Sequence, residues 1–213
     1  MVWVQLVGLI LGAYLIGAIP NGFLLGRLRG QNLLQQGSGK TGATNTMHVL
    51  GRRAAAVVFL LDLVKGALAV LLARALPWPD PQWRDLAVGA AAAAAIAGHN
   101  WSLWVRLLAG RWGGGRGLVT ALGAALLIHP LAGLVALVGA ALGFGLAHDT
   151  LIGGMLGTLA GLGTIVVLAA TGVVSAWVVP GAVLWALLIM AGFHDSFRRA
   201  LQGRQDPHGR LPD

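Results

Sequence analysis

"AVVFLLDLVKGALAVLLA", Ala56–Ala73, decides the fold. Its apolar length approaches the ~20 residues a helix needs to cross hydrocarbon. Its two charges, Asp62 and Lys65, lie one helical turn apart. An ionisable pair inside a membrane is costly and is by default a functional site or a structural tether. "LAVGAAAAAAIAG", Leu86–Gly98, is similarly apolar. Several such runs in succession cannot be one signal peptide, and the first residues lack a basic n-region and an A-x-A-type cleavage site. Composition agrees, at 57% hydrophobic and 10% charged, against roughly 45–50% and 25% for soluble domains. The chain reads as an all-α integral membrane protein.

Working outward, seven apolar segments stand out: Trp3–Leu25, Ala54–Leu76, Asp85–Leu107, Gly117–Ile128, Leu131–Ala147, Leu151–Ala170 and Val173–Phe193. The fourth is short, and the third and fourth have the marks of tilted or broken spans. The net charge of +8 is distributed like that of a membrane protein, so nucleic acid is not expected as a partner. Arg27, Arg29, Lys40, Arg52 and Arg53 follow the first segment. Arg106, Arg111 and Arg116 follow the third, and Arg198, Arg199, Arg204 and Arg210 the seventh. Only Arg74 and Arg84 follow the second. Excess Lys and Arg marks cytoplasmic loops, so the N-terminus is expected outside and the C-terminus in the cytoplasm. Trp3, Trp78, Trp83 and Trp177 then fall near outer ends, and Trp101, Trp104 and Trp112 near inner ones, as interfacial belts require. "GAIPNG" (Gly17–Gly22) breaks the first segment at Pro20, which a membrane tolerates only where backbone is buried in protein or lines a cavity. "GGMLGTLAGLGT" (Gly153–Thr164) suits close helix packing. One polytopic domain, residues 1–200, and a polar tail, 201–213, are expected, with motif loops near 27–53 and 106–120.

The polar chemistry is concentrated in those loops. "QQGSGKTGATN" (Gln35–Asn45) holds three glycines, three hydroxyls and a lysine. Glycines let successive N–H groups converge into an anion-binding concavity; Ser38, Thr41 and Thr44 add hydroxyls and Lys40 a charge. "GRWGGGRGLVT" (Gly110–Thr120) runs through Arg116 into a helical segment, whose N-terminus favours anions. Neither is a Walker loop, because G-x-x-x-x-G-K-[ST] does not occur. A third polar segment, "FHDSFRR" (Phe193–Arg199), belongs to the same face. His99 and Asn100 of "GHNW" read equally as packing or site residues; His129 and His208 read as solvated. With no cysteine there is no disulfide or thiolate metal site, and no metal or cofactor is expected.

"YLIGAIPNGFLLGRLRG", "GSGKTGATNTMHVLG", "LDLVKGALAV", "AGHNWSLWVRLLAGRWGGGRGLVTALG" and the His194 segment occur in the order found in the bacterial acyl-phosphate:glycerol-3-phosphate acyltransferases of the PlsY type, which this chain resembles. The resemblance is strong over residues ~10–70 and ~97–124 and weak at the C-terminal end. It implies seven helices and a site facing the cytosol, in the bacterial inner membrane. It also implies a reaction, acyl transfer from a fatty acyl phosphate to the first hydroxyl of glycerol 3-phosphate, giving lysophosphatidic acid for phospholipid synthesis. Ser38 with the amides of Gly37–Gly39 would hold one phosphate. Gly114, Gly115, Arg116 and Gly117 would hold another and place an amide near the developing oxyanion. His194 would orient or polarise reacting groups, which with Ser38 and Arg116 makes the expected catalytic set. Lys40, Thr44, Asn45, His48, His99, Asn100 and Ser196 complete the expected substrate contacts.

The chain departs from that family at several motif positions. Lys40 stands where asparagine is usual, His48 where arginine is, and Arg116 where lysine is. Ser196 falls opposite an asparagine, and "QNLLQQ" lacks the usual aspartate and arginine. Lysine and arginine are not interchangeable at a tight phosphate site. A homologue that binds phosphate-bearing lipids or metabolites without transfer therefore stays open. A transporter is a weaker reading, since beyond Asp62 and Lys65 the segments hold almost no charge and no inverted pair of broken helices is evident.

Overall fold

The computed structural model describes residues 1–202. All the regular elements among them are helical: α1 Val2–Gly17, α2 Asn21–Leu28, α3 Ala43–Leu50, α4 Arg52–Ala75, α5 Pro81–Asn100, α6 Leu103–Ala109, α7 Leu118–Ile128, α8 Pro130–Ala147, α9 Thr150–Ala170, a 3₁₀ turn Ala176–Val178, α10 Val179–Gly192 and α11 His194–Leu201. Residues 203–213, most of the expected polar tail, lie outside the described residues.

Each apolar segment of the sequence is helical, the first divided between α1 and α2 and the third between α5 and α6. By length and composition four stretches qualify as membrane spans: Val2–Leu28, Arg52–Ala75, Pro130–Ala147 and Thr150–Ala170. The bent pair Ala176–Gly192 and His194–Leu201, turned by 56°, would make a fifth. The α5 helix is alanine-rich with polar ends, and α7 is short, so composition alone does not place either across a bilayer.

Local chemistry sets the boundaries. Asp80 caps α5 by accepting from Trp83 N–H (3.0 Å), with Pro81 in the first turn, where a missing N–H costs nothing. Asp149 caps α9 through Leu151 N–H at 2.6 Å. His129, read from sequence as merely solvated, caps α8 by accepting from Leu131 N–H at 3.3 Å.

Two boundaries differ from expectation. The segment Asp85–Leu107 is not one helix: α5 stops at Asn100, because Ser102 accepts Val105 N–H (3.1 Å) and starts α6 as a separate element. The segment from Val173 begins only at Ala176, where Ser175 caps the 3₁₀ turn through Trp177 N–H at 3.3 Å.

The α5 helix forms the centre of the bundle, packing against α1, α4, α7 and α10. Its run of buried alanines, Ala91–Ala95, explains how so many helices approach it, since small side chains allow backbones close together in the absence of bulky packing. Ile96, Ile165, Trp185 and Phe193 fill the remaining core. Outward-facing Leu and Val on α1, α4, α8, α9 and α10 stay exposed, the arrangement hydrocarbon surroundings require.

The break at Pro20 is stapled to the end of α5. Ser102 Oγ donates to the Ala18 carbonyl (2.5 Å), Tyr14 Oη to that of Trp101 (2.7 Å) and Trp104 Nε1 to that of Leu15 (3.0 Å). Carbonyls freed by the broken helix thus find protein donors, as buried backbone must.

Candidate functional site

The first loop is shaped from inside by Asn45, which is 2% exposed. Its Nδ2 donates to the carbonyls of Leu33 (3.1 Å), Gln36 (3.1 Å) and Lys40 (2.8 Å), while its Oδ1 accepts Ser38 N–H at 2.8 Å. The sequence assigned Asn45 to substrate, whereas here its amide group holds the loop. Gly37 and Gly39 have φ of +57° and +68°, a region costly for residues with a Cβ. The chain therefore curls tightly on both sides of Ser38 and turns it toward a cavity.

The second loop lies directly against the first. Thr41 N–H donates to the Gly114 carbonyl (3.1 Å), Ser102 N–H to that of Gly113 (2.9 Å), and Gly115 N–H to that of His99 (2.9 Å). The Gly115 amide, expected to face an anion, is therefore engaged with the end of α5. A Cβ at Gly115 would fall on His99 Nε2, so glycine is demanded there by close approach. Gly117, at φ +79°, caps α7 and leaves the first-turn N–H groups of that helix directed back toward the loop.

Arg116 enters this junction under tight control. Its Nη1 donates to Thr150 Oγ1 (2.6 Å), its Nη2 to Ser196 Oγ (3.1 Å), and its guanidinium lies 4.7 Å from the centre of the Phe193 ring. Ser196 is buried and so acts on the site through Arg116.

These elements enclose a cavity of about 580 Å³. Its polar end is walled by Ser38, Lys40, Thr44, Arg52, His99 and Arg116 together with Gly115 and Gly117. From there it continues as an apolar arm between α7, α8, α9 and α10, past residues such as Leu122, Ala140, Leu162 and Trp185. A smaller cavity of about 380 Å³ on the other side of Gly115 is lined by Lys40, Asn100, His194 and Asp195. Lys40 and Gly115 border both.

Sequence and structure can be compared residue by residue. Ser38, Lys40, Thr44, Asn45, His99, Gly115, Arg116 and Gly117 line the larger cavity, and Asn100 and His194 the smaller. Gly37, Gly39 and Gly114 line neither cavity. His48 reaches neither wall; its Nε2 is buried without a hydrogen-bond partner among the described residues. Arg52 and Thr150 line the larger cavity but were not among the expected site residues, and Asp62, read from sequence as a functional site or a structural tether, lines it too. Arg52 had a signal, being a cation at the start of a helix directly after the first motif.

Asp195 faces Lys40 Nζ at 3.3 Å and His194 Nδ1 at 3.5 Å. Burial pushes its carboxyl up, but the charge and hydrogen bond of Lys40, then those of His194, outweigh it and hold the group below the ordinary carboxylate value.

Comparison with known proteins supplies a frame for this arrangement. Residues 7–203 match the glycerol-3-phosphate acyltransferase family. A glycerol-3-phosphate acyltransferase of Synechococcus sp. (strain CC9902) is 49% identical over 111 residues, 52% of this chain and 50% of that protein. Glycerol-3-phosphate acyltransferase 5 of Dehalococcoides mccartyi is 40% identical over 151 residues, 70% of this chain and 60% of that protein. The matched regions thus span about half to three fifths of these relatives. Among solved structures, PlsY (YgiH), an integral membrane glycerol 3-phosphate acyltransferase, is similar in its glycerol 3-phosphate form. The TM-score is 0.81 at 25% identity, covering 98% of this chain and 96% of that one. Its lysophosphatidic acid form gives a TM-score of 0.79 at 25% identity, covering 94% of each chain. An all-helical chain whose two glycine loops meet at the head of an apolar cavity, and whose sequence matches this family from residue 7 to the last described helix and just beyond, is an integral membrane member of the glycerol-3-phosphate acyltransferase family.

Proposed function

We propose that this protein transfers a fatty acyl group from acyl phosphate to the first hydroxyl of glycerol 3-phosphate, releasing lysophosphatidic acid and inorganic phosphate. The observation that carries the reading is the two-part cavity. Its head is lined by cations, hydroxyls and a helix N-terminus, which suit a phosphate. Its apolar arm suits an alkyl chain. A molecule with one such head and one such tail fits both parts at once.

In this reading the glycerol hydroxyl oxygen attacks the acyl carbonyl carbon and the carbon–phosphate oxygen bond breaks. The hydroxyl proton leaves with the departing phosphate, so no side-chain nucleophile is needed. Ser38, Lys40 and Arg52 hold the donor phosphate. The first turn of α7 and the Arg116 charge stabilise the oxyanion, the kind of preorganised electrostatics that is usually the largest catalytic term. The smaller cavity, with Lys40, Asn100 and His194, takes glycerol 3-phosphate beside Gly115. The related proteins named for glycerol 3-phosphate and lysophosphatidic acid support this choice of acceptor and product.

The same reading includes seven crossings of a bacterial inner membrane, with α5 and α7 counted as spans shielded by their neighbours. The N-terminus is then outside and both glycine loops face the cytoplasm, where the arginines gather. The substituted motif positions find local accommodation: the Arg116 fork is matched by Thr150 and Ser196, and Lys40 supplies a cation at the cavity wall. This favours a working enzyme over a homologue that only binds.

The test is purified protein in lipid vesicles with glycerol 3-phosphate and palmitoyl phosphate. Lysophosphatidic acid should form, and palmitoyl-CoA should not replace the acyl phosphate. No product, or turnover with the CoA ester alone, overturns the assignment.

A further inference from the structure

Asp62 sits midway along α4, 1% exposed, where an isolated carboxylate would be very costly. It is a hub. Its Oδ1 accepts from Lys65 Nζ (2.9 Å) and from Asn21 Nδ2 (2.9 Å), and it faces His99 Nδ1 at 3.7 Å. Lys65, in turn, donates to the Ile19 carbonyl at 3.1 Å, an acceptor exposed by the break before Pro20.

The fourth member reaches the reacting region. The His99 carbonyl takes the Gly115 N–H (2.9 Å), and its ring nitrogen Nε2 abuts the Gly115 Cα so closely that no Cβ fits between. His99 therefore grips the second loop by both backbone and ring, one residue before Arg116. Whatever fixes the His99 ring fixes the entry of that loop into the cavity. The ring is itself buried, and Asp62 is the carboxylate presented to its Nδ1.

A structural tether between α4 and α2 alone would need only Asp62 and Asn21. It would not need the carboxylate turned toward an imidazole, with both Asp62 and His99 among the residues lining the cavity. We propose that Asp62, clamped by Lys65 and Asn21, is a positioning residue: it orients His99 with Nδ1–H toward the carboxylate and Nε2 toward Gly115. This sets the turn that delivers Arg116 and the N-terminus of α7. The break in the first membrane helix thus has a purpose at the site, because it frees the Ile19 carbonyl and Asn21 side chain that hold the Lys65–Asp62 pair.

The effect on catalysis rests on the acyltransferase reading; the effect on His99 does not. The test is the double variant Asp62→Asn/Lys65→Met, which removes both charges together. Breaking only one would leave the other buried and unpaired, which is far more damaging to the fold. Histidine ¹⁵N spectra of the full-length protein are recorded for wild type and double variant, with His99→Gln identifying the His99 signals. Vesicle assays give kcat and KM for both substrates.

The double variant should melt near the wild type, yet lose between about tenfold and a hundredfold in kcat, the range for misplaced catalytic geometry, with KM values nearly unchanged. Its His99 nitrogens should shift from one protonated Nδ1 to a mixture of tautomers. Unchanged kcat with unchanged His99 signals would overturn the proposal, as would a rise in KM with kcat preserved. If wild type gives no product, the acyltransferase reading fails. The His99 signals still decide the positioning, supporting it when the variant alters them and overturning it when they stay as in wild type.

Discussion

Lys40 Nζ and Asp195 Oδ2 stand 3.3 Å apart, joining the first glycine loop to the C-terminal helix across 155 residues. Lys40 borders both cavities and Asp195 the smaller one, so in the proposed reaction the pair sets the charge that an entering phosphate would meet. As a partly exposed ion pair it should contribute only about 0–1 kcal/mol to stability. Its weight falls on binding.

Lys40→Ala should weaken glycerol 3-phosphate binding by about tenfold or more, since contacts to charged groups are worth about 1.5–3 kcal/mol. Asp195→Asn should act in the opposite direction, lowering the KM for glycerol 3-phosphate by a few fold, because a carboxylate beside the pocket is removed. Initial rates against glycerol 3-phosphate concentration check both, and a higher KM in Asp195→Asn would contradict the arrangement.

The pH dependence of that pair has a definite sign. A carboxyl held below its unfolded value stabilises the fold above that value and loses the contribution as pH falls through the lower, folded one. The wild type should therefore match its neutral behaviour until below about the ordinary value of 3.8. Melting temperatures of wild type and Asp195→Asn should differ by a constant amount at higher pH and converge in stronger acid.

Arg116→Ala should reduce turnover by more than a hundredfold, combining a lost charge-assisted contact with lost oxyanion stabilisation. Arg116→Lys should recover part of it, limited by the single ammonium that must replace a fork reaching both Thr150 and Ser196. Thr150→Val should fall between, with kcat lowered through a loosened guanidinium. Single-turnover rates separate the three.

Asn45→Ala should act through the fold of the loop. Three carbonyls and one N–H lose their partner, and each buried unsatisfied group costs about 1–3 kcal/mol. A marked drop in melting temperature together with lost activity is expected. Asn45→Ala with wild-type melting would show that the loop is held otherwise.

Orientation is checked with a reporter active only in the cytoplasm. It should work when fused after Arg53 or Gly110 and fail after Pro79 or Thr171. Signal at Pro79 would remove the seven-crossing arrangement.

Much of this was legible before any coordinates. Apolar runs located every long helix, because hydrocarbon burial imposes length and composition together. The glycine loops stood out by residue type, and the structure brings them against one another. What stayed hidden depends on contact between distant segments. Nothing in "GATNT" says that the Asn45 amide faces inward to three loop carbonyls, and nothing near Thr150 announces that it receives Arg116. The helix end at Asn100 was missed for a similar reason. Ser102 is an ordinary cap in sequence, and only the Ala18 carbonyl opposite it explains the break. Asp62 and Lys65 were conspicuous as charges, but their neighbour His99 lies on another helix.

The α11 helix carries a consequence for how the protein comes into being. Ser196 steadies Arg116, Asp195 meets Lys40, and His194 walls the smaller cavity, so the last described helix completes contacts begun near residue 38. A nascent chain that ends with α10 has all the earlier helices but not its finished pocket. The pocket should therefore be complete only once α11 has folded back against the first loop.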